Sequence, residues 1–360
     1  MNGENETKLC PYCAEPIKAA AIKCKHCGSD LTVTPSGRIQ PSTESLITNY
    51  LQDRYEIQEL IGKGGMASVY RARQLSMDRT IALKVIHQNL IHDEEFLNRF
   101  HKEARLSGSL SHPNIIAVYD VGQSGPVHYM AMEYLEGEDL HHLIHTHGCP
   151  SIARSLEVIS AMARALDYAH LKGIIHRDVK SSNVFLTRDG RILLTDFGIA
   201  KGLSEIGLTQ AGEVLGTPEY MSPEQAKGRE LDARSDLYSL GVVFYECLTG
   251  RVPFKDENKM TVVHSVIYEE VSMPSQYNPD IPKWLESVVM RLLSKDPSRR
   301  LGSGQEVVRA LDARRPVPYE PRTQTTRTKS PNDQTEAVTR KQTAYSGSVP
   351  KPADHKEKAP

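Results

Sequence analysis

Within the 360 residues, the stretch Ile174-Ile-His176-Arg177-Asp178-Val-Lys180-Ser-Ser-Asn183, followed after a short turn by Ile192-Leu-Leu-Thr-Asp196-Phe197-Gly198, restricts the chain more than any other. Phosphoryl transfer asks little covalent chemistry of a protein; it needs two metal-ligating groups, a base near the accepting hydroxyl and positive charge on the phosphates. These residue types occur here together and in order. Asp178 can accept or orient the hydroxyl proton, Lys180 can neutralise the transferring phosphoryl group, and Asn183 with Asp196 can hold Mg2+ or Mn2+. Turn residues gathered by chance would not supply the whole set.

Upstream, Tyr55-Glu-Ile-Gln-Glu-Leu-Ile61 reads as a strand running into Gly62-Lys-Gly64-Gly65-Met-Ala-Ser-Val69. Closely spaced glycines remove side chains and permit φ > 0, so backbone N–H groups can approach phosphate oxygens. A plain hairpin turn has the same appearance. In the next strand, Thr80-Ile-Ala-Leu-Lys-Val-Ile86, the two-residue period puts Ala82 and Lys84 on one face and Ile81, Leu83 and Val85 on the other. After Asp93 a helical period places Phe96, Phe100 and Glu103 on one stripe. Glu103 reads either as a surface ion pair at a helix margin or as an inward carboxylate that holds Lys84 on a nucleotide's phosphates.

The organisation of the rest follows from composition. Four of the six cysteines lie within the first 27 residues, which marks a separate unit over residues 1–28. Residues 29–53 carry few large apolar side chains and include Pro35, Gly37, Pro41, Ser42 and Ser45, so a flexible linker is predicted there. Residues 54–313 hold the core. From 314 to 360 the chain is rich in Thr and Pro and too poor in apolar surface to offset its ordering entropy, which predicts a disordered tail. With 44 basic and 45 acidic residues the formal net charge is -1, and residues 1–54 hold six of each sign, so no nucleic-acid partner is expected. The most apolar stretch, Leu237–Leu248, has 12 residues against the roughly 20 that a membrane span requires. No membrane span is expected, and the start of the chain, without a signal-peptide pattern, suggests a cytoplasmic location.

Cys10-Pro-Tyr-Cys13 and Cys24-Lys-His-Cys27 are two CxxC knuckles, each able to place two thiolates on one zinc ion. So few residues build no core, and structural zinc is then what folds the unit. Disulfides, free thiols and a redox CxxC are the alternatives; disulfides rarely persist in the cytosol. Cys149 and Cys247 read as buried or inert thiols.

Further motifs complete the pattern: Gly216-Thr217-Pro-Glu219-Tyr-Met-Ser-Pro223-Glu224, Asp236-Leu-Tyr-Ser-Leu-Gly241 and Asp296-Pro297-Ser-Arg-Arg300. With them, about 260 residues of the chain resemble a eukaryotic-type Ser/Thr protein kinase of the bacterial branch, and residues 1–28 resemble a short zinc ribbon. The resemblance implies an α+β, two-lobed fold: a small β-rich lobe with one helix, then a larger helical lobe, with ATP between them. It implies a nucleotide site made by Gly62, Gly64, Val69, Ala82 and Lys84, with the Glu133 carbonyl and the Leu135 backbone at adenine and Met132 as gatekeeper. It also implies a Glu224–Arg300 ion pair, an Asp236 that braces the catalytic loop, and Ser/Thr specificity from Lys180 and Thr217. Two departures stand out. Ala67 replaces the third glycine of GxGxxGxV, adding a methyl group near the phosphates, and Ser222 replaces the alanine of APE.

Arg177 beside Asp178 resembles kinases whose activation segment is ordered by a phosphate, and Thr209 is the expected activating site. The tail carries seven threonines, among them Thr325, and ten basic against five acidic residues from 313 onward. It is read either as a bare solvated end or as a segment that the enzyme phosphorylates and presents to a phosphothreonine reader such as a forkhead-associated domain. Protein substrates are the expected partners. A partner-binding scaffold that merely senses ATP and a small-molecule phosphotransferase on the same fold are the competing readings.

Overall fold

Two short antiparallel pairs open the chain, β1 (Thr7–Leu9) with β2 (Pro16–Lys18) and β3 (Leu31–Val33) with β4 (Ile39–Pro41), followed by helix α1 (Thr43–Leu51). Five strands then form one antiparallel sheet in the order β5-β6-β7-β9-β8: β5 (Tyr55–Lys63), β6 (Ala67–Gln74), β7 (Arg79–Ile86), β8 (Val118–Ser124) and β9 (Val127–Glu133). Helix α2 (Glu94–Gly108) lies between β7 and β8 in sequence. The structure, a computed structural model, describes residues 7–9, 16–18, 21–23, 31–33, 39–41, 43–91, 93–197 and 217–319.

The alternation in β7 gives this sheet two apolar faces. Ile81, Leu83 and Val85 join Tyr55, Tyr70, Tyr129 and Ala131 in one buried cluster. Ile86, on the opposite face, joins Ala67, Phe96, Phe100 and Met130 in another, so α2 covers that side. The start of α2 is fixed by Asp93, whose carboxylate accepts from the Phe96 N–H at 2.9 Å.

The first face is covered by a helix that composition concealed. Leu46, Ile47 and Leu51 of α1 are buried in the cluster with Ile81, Leu83 and Tyr129. The flexible linker predicted over 29–53 is therefore incorrect for its second half: the prolines and serines of residues 35–45 dominate its composition, while the apolar residues from 46 to 51 recur at helical spacing. Further contacts tie this segment to the sheet. Ser124 Oγ donates to the Tyr50 carbonyl at 2.8 Å, and Arg54 Nη2 donates to Asp120 Oδ2 at 2.7 Å. Gly125, in the β8–β9 turn, has φ +54°, and a Cβ there would lie 2.3 Å from the Tyr50 ring.

The helical lobe starts with β10 (Gly137–Asp139), α3 (Leu140–His147) and α4 (Ile152–Leu171), and β10 pairs with β11 (Val184–Thr187), which pairs with β12 (Ile192–Leu194). It continues through α5 (Pro223–Ala226), α6 (Ala233–Thr249), α7 (Lys259–Tyr268), α8 (Lys283–Leu292) and α9 (Gly304–Ala313). Helix α6 is buried along nearly its whole length, from Ser235 to Leu248. Gly241 lets it approach α8, since a Cβ there would stand 2.7 Å from Leu292 Cβ. Among the described residues no helix is long and apolar enough to cross a membrane.

Ordered packing extends past residue 314, the predicted start of the tail. Val317 and Tyr319 pack against the helical core, the Val317 N–H donates to Ser287 Oγ at 2.9 Å, and Arg291 Nη1 donates to the Pro318 carbonyl at 2.7 Å. Two apolar residues and two hydrogen bonds suffice to hold these few residues on α8. Of the two remaining thiols, Cys247 is buried as expected, whereas Cys149 is exposed; burial pushes the Cys247 thiol pKa up from the ordinary range, and partial desolvation raises that of Cys149.

Candidate active site

Lys84 lies in β7 in register with Val69 of β6 and Met130 of β9, and its Nζ reaches across to Asp196 Oδ1 at 2.5 Å, just beyond the end of β12. Asp178 lies on the loop between α4 and β11, where Lys180 Nζ is 3.0 Å from Asp178 Oδ2. Asn183 closes the 3-10 turn Ser181–Asn183. Its amide donates to the Asp178 carbonyl at 2.8 Å and to Asp178 Oδ2 at 3.3 Å, so its amide oxygen is the atom left to serve a cation. Thr195 donates twice to the Asn183 carbonyl, from N at 2.9 Å and from Oγ1 at 3.1 Å, which sets the spacing between Asn183 and Asp196. The structure thus brings Lys84, Asp178, Lys180, Asn183 and Asp196 to one place.

The charge of Lys84 holds the Asp196 carboxyl below the usual carboxylate range, outweighing the opposite effect of burial. An ionised carboxylate and an amide oxygen are the hard oxygen donors that Mg2+ or Mn2+ takes, so these residues fit a divalent ion.

Two non-glycine residues here adopt left-handed backbone, Arg177 at φ 66° and Asp196 at φ 51°. Such conformations cost of order 1–3 kcal/mol each and persist only where the surroundings over-determine them. For Arg177 the restraint comes from Asp236 in the first turn of α6: its Oδ1 accepts from the Arg177 N–H and its Oδ2 from the His176 N–H, both at 2.8 Å. Gln225 Nε2 also donates to the Arg177 carbonyl at 3.0 Å. His176 is fully buried 4.5 Å from the Phe197 ring, and burial lowers its pKa, so the imidazole is neutral. With its proton on Nε2 it donates to the Thr195 carbonyl at 3.0 Å, and its Nδ1 faces the Asp178 N–H at 3.3 Å.

Arg300 and Glu224 form a bidentate pair, Nη1 to Oε1 at 2.7 Å and Nη2 to Oε2 at 2.8 Å. Arg300 Nε also donates to the Ser294 carbonyl and Nη1 to the Arg234 carbonyl, both at 2.8 Å, while Ser235 Oγ donates to Glu224 Oε1 at 2.7 Å.

The nucleotide set is placed as follows. Gly62 and Val69 face each other across β5 and β6, and Gly64 N–H donates to the Ala67 carbonyl at 2.9 Å, closing the loop. None of Gly62, Gly64 and Gly65 has a positive φ, so the left-handed backbone that glycine permits is not used; glycine here leaves the space above the loop open, with nothing within 4 Å of a Cβ built on Gly65. The Ala67 methyl is likewise not an intrusion near phosphates, because it is buried in the cluster with Ile86, Phe96 and Phe100. Ala82 is buried opposite Met132. Glu133 turns its carboxylate to Arg191 Nη1 at 2.7 Å, and Leu135 lies in the connection between β9 and β10. Glu103 is within α2, but its side chain lies outside the described residues, as do Cys10, Cys13, Cys24, Cys27, Thr209 and Thr325.

Gln225 escaped the reading of the sequence. Its signal was present in Ser222-Pro-Glu-Gln225, the S-x-x-Q spacing of a capping box, and both reciprocal bonds of that box are made, at 3.2 and 2.9 Å.

A sheet lobe and a helical lobe that bring a lysine, two aspartates and an asparagine together define a protein kinase. The chain matches the protein kinase domain model over residues 55–310 and belongs to that family. It is 41% identical over 264 residues to the serine/threonine-protein kinase PknB of Mycolicibacterium smegmatis and 41% identical over 265 residues to PknB of Mycobacterium tuberculosis. Each match covers 72% of this chain and 42% of the relative, so the chain spans less than half the length of these proteins. The crystal structure of the Mycobacterium tuberculosis PknI kinase domain is similar at a TM-score of 0.59 and 30% identity, covering 72% of this chain and 96% of that one. The family implies ATP and Mg2+ or Mn2+ as the reacting nucleotide and metal.

Proposed function

We propose that the chain transfers the γ-phosphoryl group of ATP to serine and threonine hydroxyls of proteins. The convergence of Lys84, Asp178, Lys180, Asn183 and Asp196 carries this reading. Lys84 would align the phosphates, with Glu103 as its proposed partner. Asn183 and Asp196 hold the metal, Asp178 orients the accepting hydroxyl, and Lys180 offsets charge on the transferring group. Gly62, Gly64, Val69 and Ala82 enclose the nucleotide, with adenine at the Glu133 and Leu135 backbone. Incubation with labelled ATP, Mg2+ and a general protein substrate is expected to yield phosphoserine and phosphothreonine. Absence of any transfer above that of Asp196→Asn protein would defeat the proposal.

Zinc at Cys10, Cys13, Cys24 and Cys27 is supported by the paired CxxC spacing, and a cytoplasmic location fits cysteines kept as thiolates. One zinc per chain is expected at these four cysteines. Because α1 packs on the sheet, the informative truncation removes residues 1–42 and keeps Thr43 onward. After dialysis that strips exchangeable cations, that protein is expected to contain one equivalent of zinc less than the parent and to keep its transferase activity; an unchanged zinc content after truncation would exclude this ligand set.

Phosphate on Thr209, adding about -1.5 to -2 charge that Arg177 can pair, is the proposed activating modification. Thr325 and its neighbours are the proposed tail sites, read by a forkhead-associated domain. After incubation with ATP, mass spectrometry is expected to find phosphothreonine at 209 and between 323 and 343, and neither in Asp196→Asn protein. Full activity in Thr209→Ala protein would remove the first site, and phosphate confined to residues 196–224 the second.

A further inference from the structure

Glu246, on α6, is a carboxylate with a side chain only 1% exposed, and among the described residues the only basic groups within ion-pair distance of it are two histidines from another helix. His141 and His145 are one turn apart on α3, and His141 Nδ1 and His145 Nε2 each lie 3.5 Å from the same oxygen, Glu246 Oε1. The other carboxylate oxygen, Oε2, accepts from the Tyr220 hydroxyl at 2.7 Å. Taking a carboxylate out of water is costly unless a charge compensates it. A divalent cation compensates it fully.

We propose that His141, His145 and Glu246 form a binding site for a divalent transition-metal cation of the zinc class. Zinc bonds of about 2.0–2.2 Å in a tetrahedron set ligand atoms roughly 3.3–3.5 Å apart, which is the separation found from Oε1 to each nitrogen. The three ligand atoms all lie within 4.8 Å of one another, and the remaining closure falls on two side chains about half exposed and free to turn. Two neutral imidazoles and one carboxylate favour a borderline cation over Mg2+, which prefers an all-oxygen shell. The exposed side of the histidines leaves the fourth position to water, so the cation exchanges with solvent and is not a fold-determining ion. The surrounding hydrogen bonds orient the carboxylate: Tyr220 donates to it, and Ser181 Oγ lies 2.9 Å from the Tyr220 hydroxyl, while the 3.4 Å contact of Ser181 Oγ with His141 Nδ1 would give way to the cation. Tyr220 belongs to the 3-10 turn Pro218–Tyr220 and Ser181 follows Lys180, so the site joins α3 and α6 to the catalytic loop.

The test titrates Co2+ into the full chain and compares parent protein with the His141→Gln/His145→Gln double variant and with Glu246→Gln, which keeps an acceptor for Tyr220. All three carry the same N-terminal cysteines, so cobalt taken up there cancels in the comparison. Parent protein is expected to bind one equivalent more than either variant, with the weak visible bands of nitrogen and oxygen ligands in the difference spectrum. Its thermal midpoint should rise by several degrees with excess Co2+ more than that of the variants. Affinity in the variants should fall at least about tenfold. Equal stoichiometry, affinity and thermal shift in parent and variants would overturn the proposal.

Discussion

Lys84→Ala and Asp196→Asn proteins are expected to fold as the parent does and to lose phosphoryl transfer by at least about a hundredfold in kcat. The expectation rests on the 2.5 Å contact that places an ammonium and an ionised carboxylate where phosphate and metal have to meet. Neither residue has a part in the apolar clusters of the two lobes, so circular dichroism and thermal midpoint should stay near parental values. Steady-state rates with saturating ATP and protein substrate decide the matter. A folded variant that retains transfer within about tenfold of the parent would remove these residues from the reaction.

Arg300→Ala is expected to destabilise the helical lobe by about 3 to 5 kcal/mol, because it leaves the Glu224 carboxylate buried without its cation. The Arg300 side chain is fully enclosed and its guanidinium serves Glu224 and three backbone carbonyls at once, so the Ser294, Arg234 and Lys295 carbonyls lose a donor as well. Urea unfolding followed by fluorescence measures the loss; a midpoint within error of the parent would show the pair to be energetically idle. Acid acts on the same contact. Burial alone would raise the Glu224 pKa, but the hydrogen bonds and charge of Arg300 outweigh it and hold it below its ordinary value. The contribution of the pair is therefore complete above the unfolded glutamate pKa of about 4.3 and is lost as pH falls from there through the lower folded value. In Arg300→Ala protein that part of the acid sensitivity should disappear.

The candidate catalytic residues were legible in the sequence because phosphoryl transfer concentrates its polar groups in two short segments, Asp178 to Asn183 and Asp196, where chemistry and order can be read without the fold. Lys84 was legible for another reason: a lysine in the apolar run Thr80–Ile86 contradicts simple burial. The same alternation puts Ile81, Leu83 and Val85 on a face that another element has to cover. Its cover, Leu46, Ile47 and Leu51, lies in a segment whose prolines and serines made it look like a tether. Local composition reports the average of a segment, whereas burial is decided by the few residues that meet an unpaired apolar face.

By itself, then, the sequence determined the candidate reacting groups, the periodicity of the strands and helices, and the positions of the thiols and threonines, since each is a property of neighbouring residues. Only the tertiary structure decided that α1 completes the sheet, that Asp236 and Gln225 restrain the left-handed Arg177, and that Lys84 meets Asp196. It alone placed Glu246 within 3.5 Å of two histidines about a hundred residues earlier in the chain. Contacts between such distant segments depend on how whole helices pack, here on an α6 buried along nearly its whole length, and no local pattern of residue types encodes that.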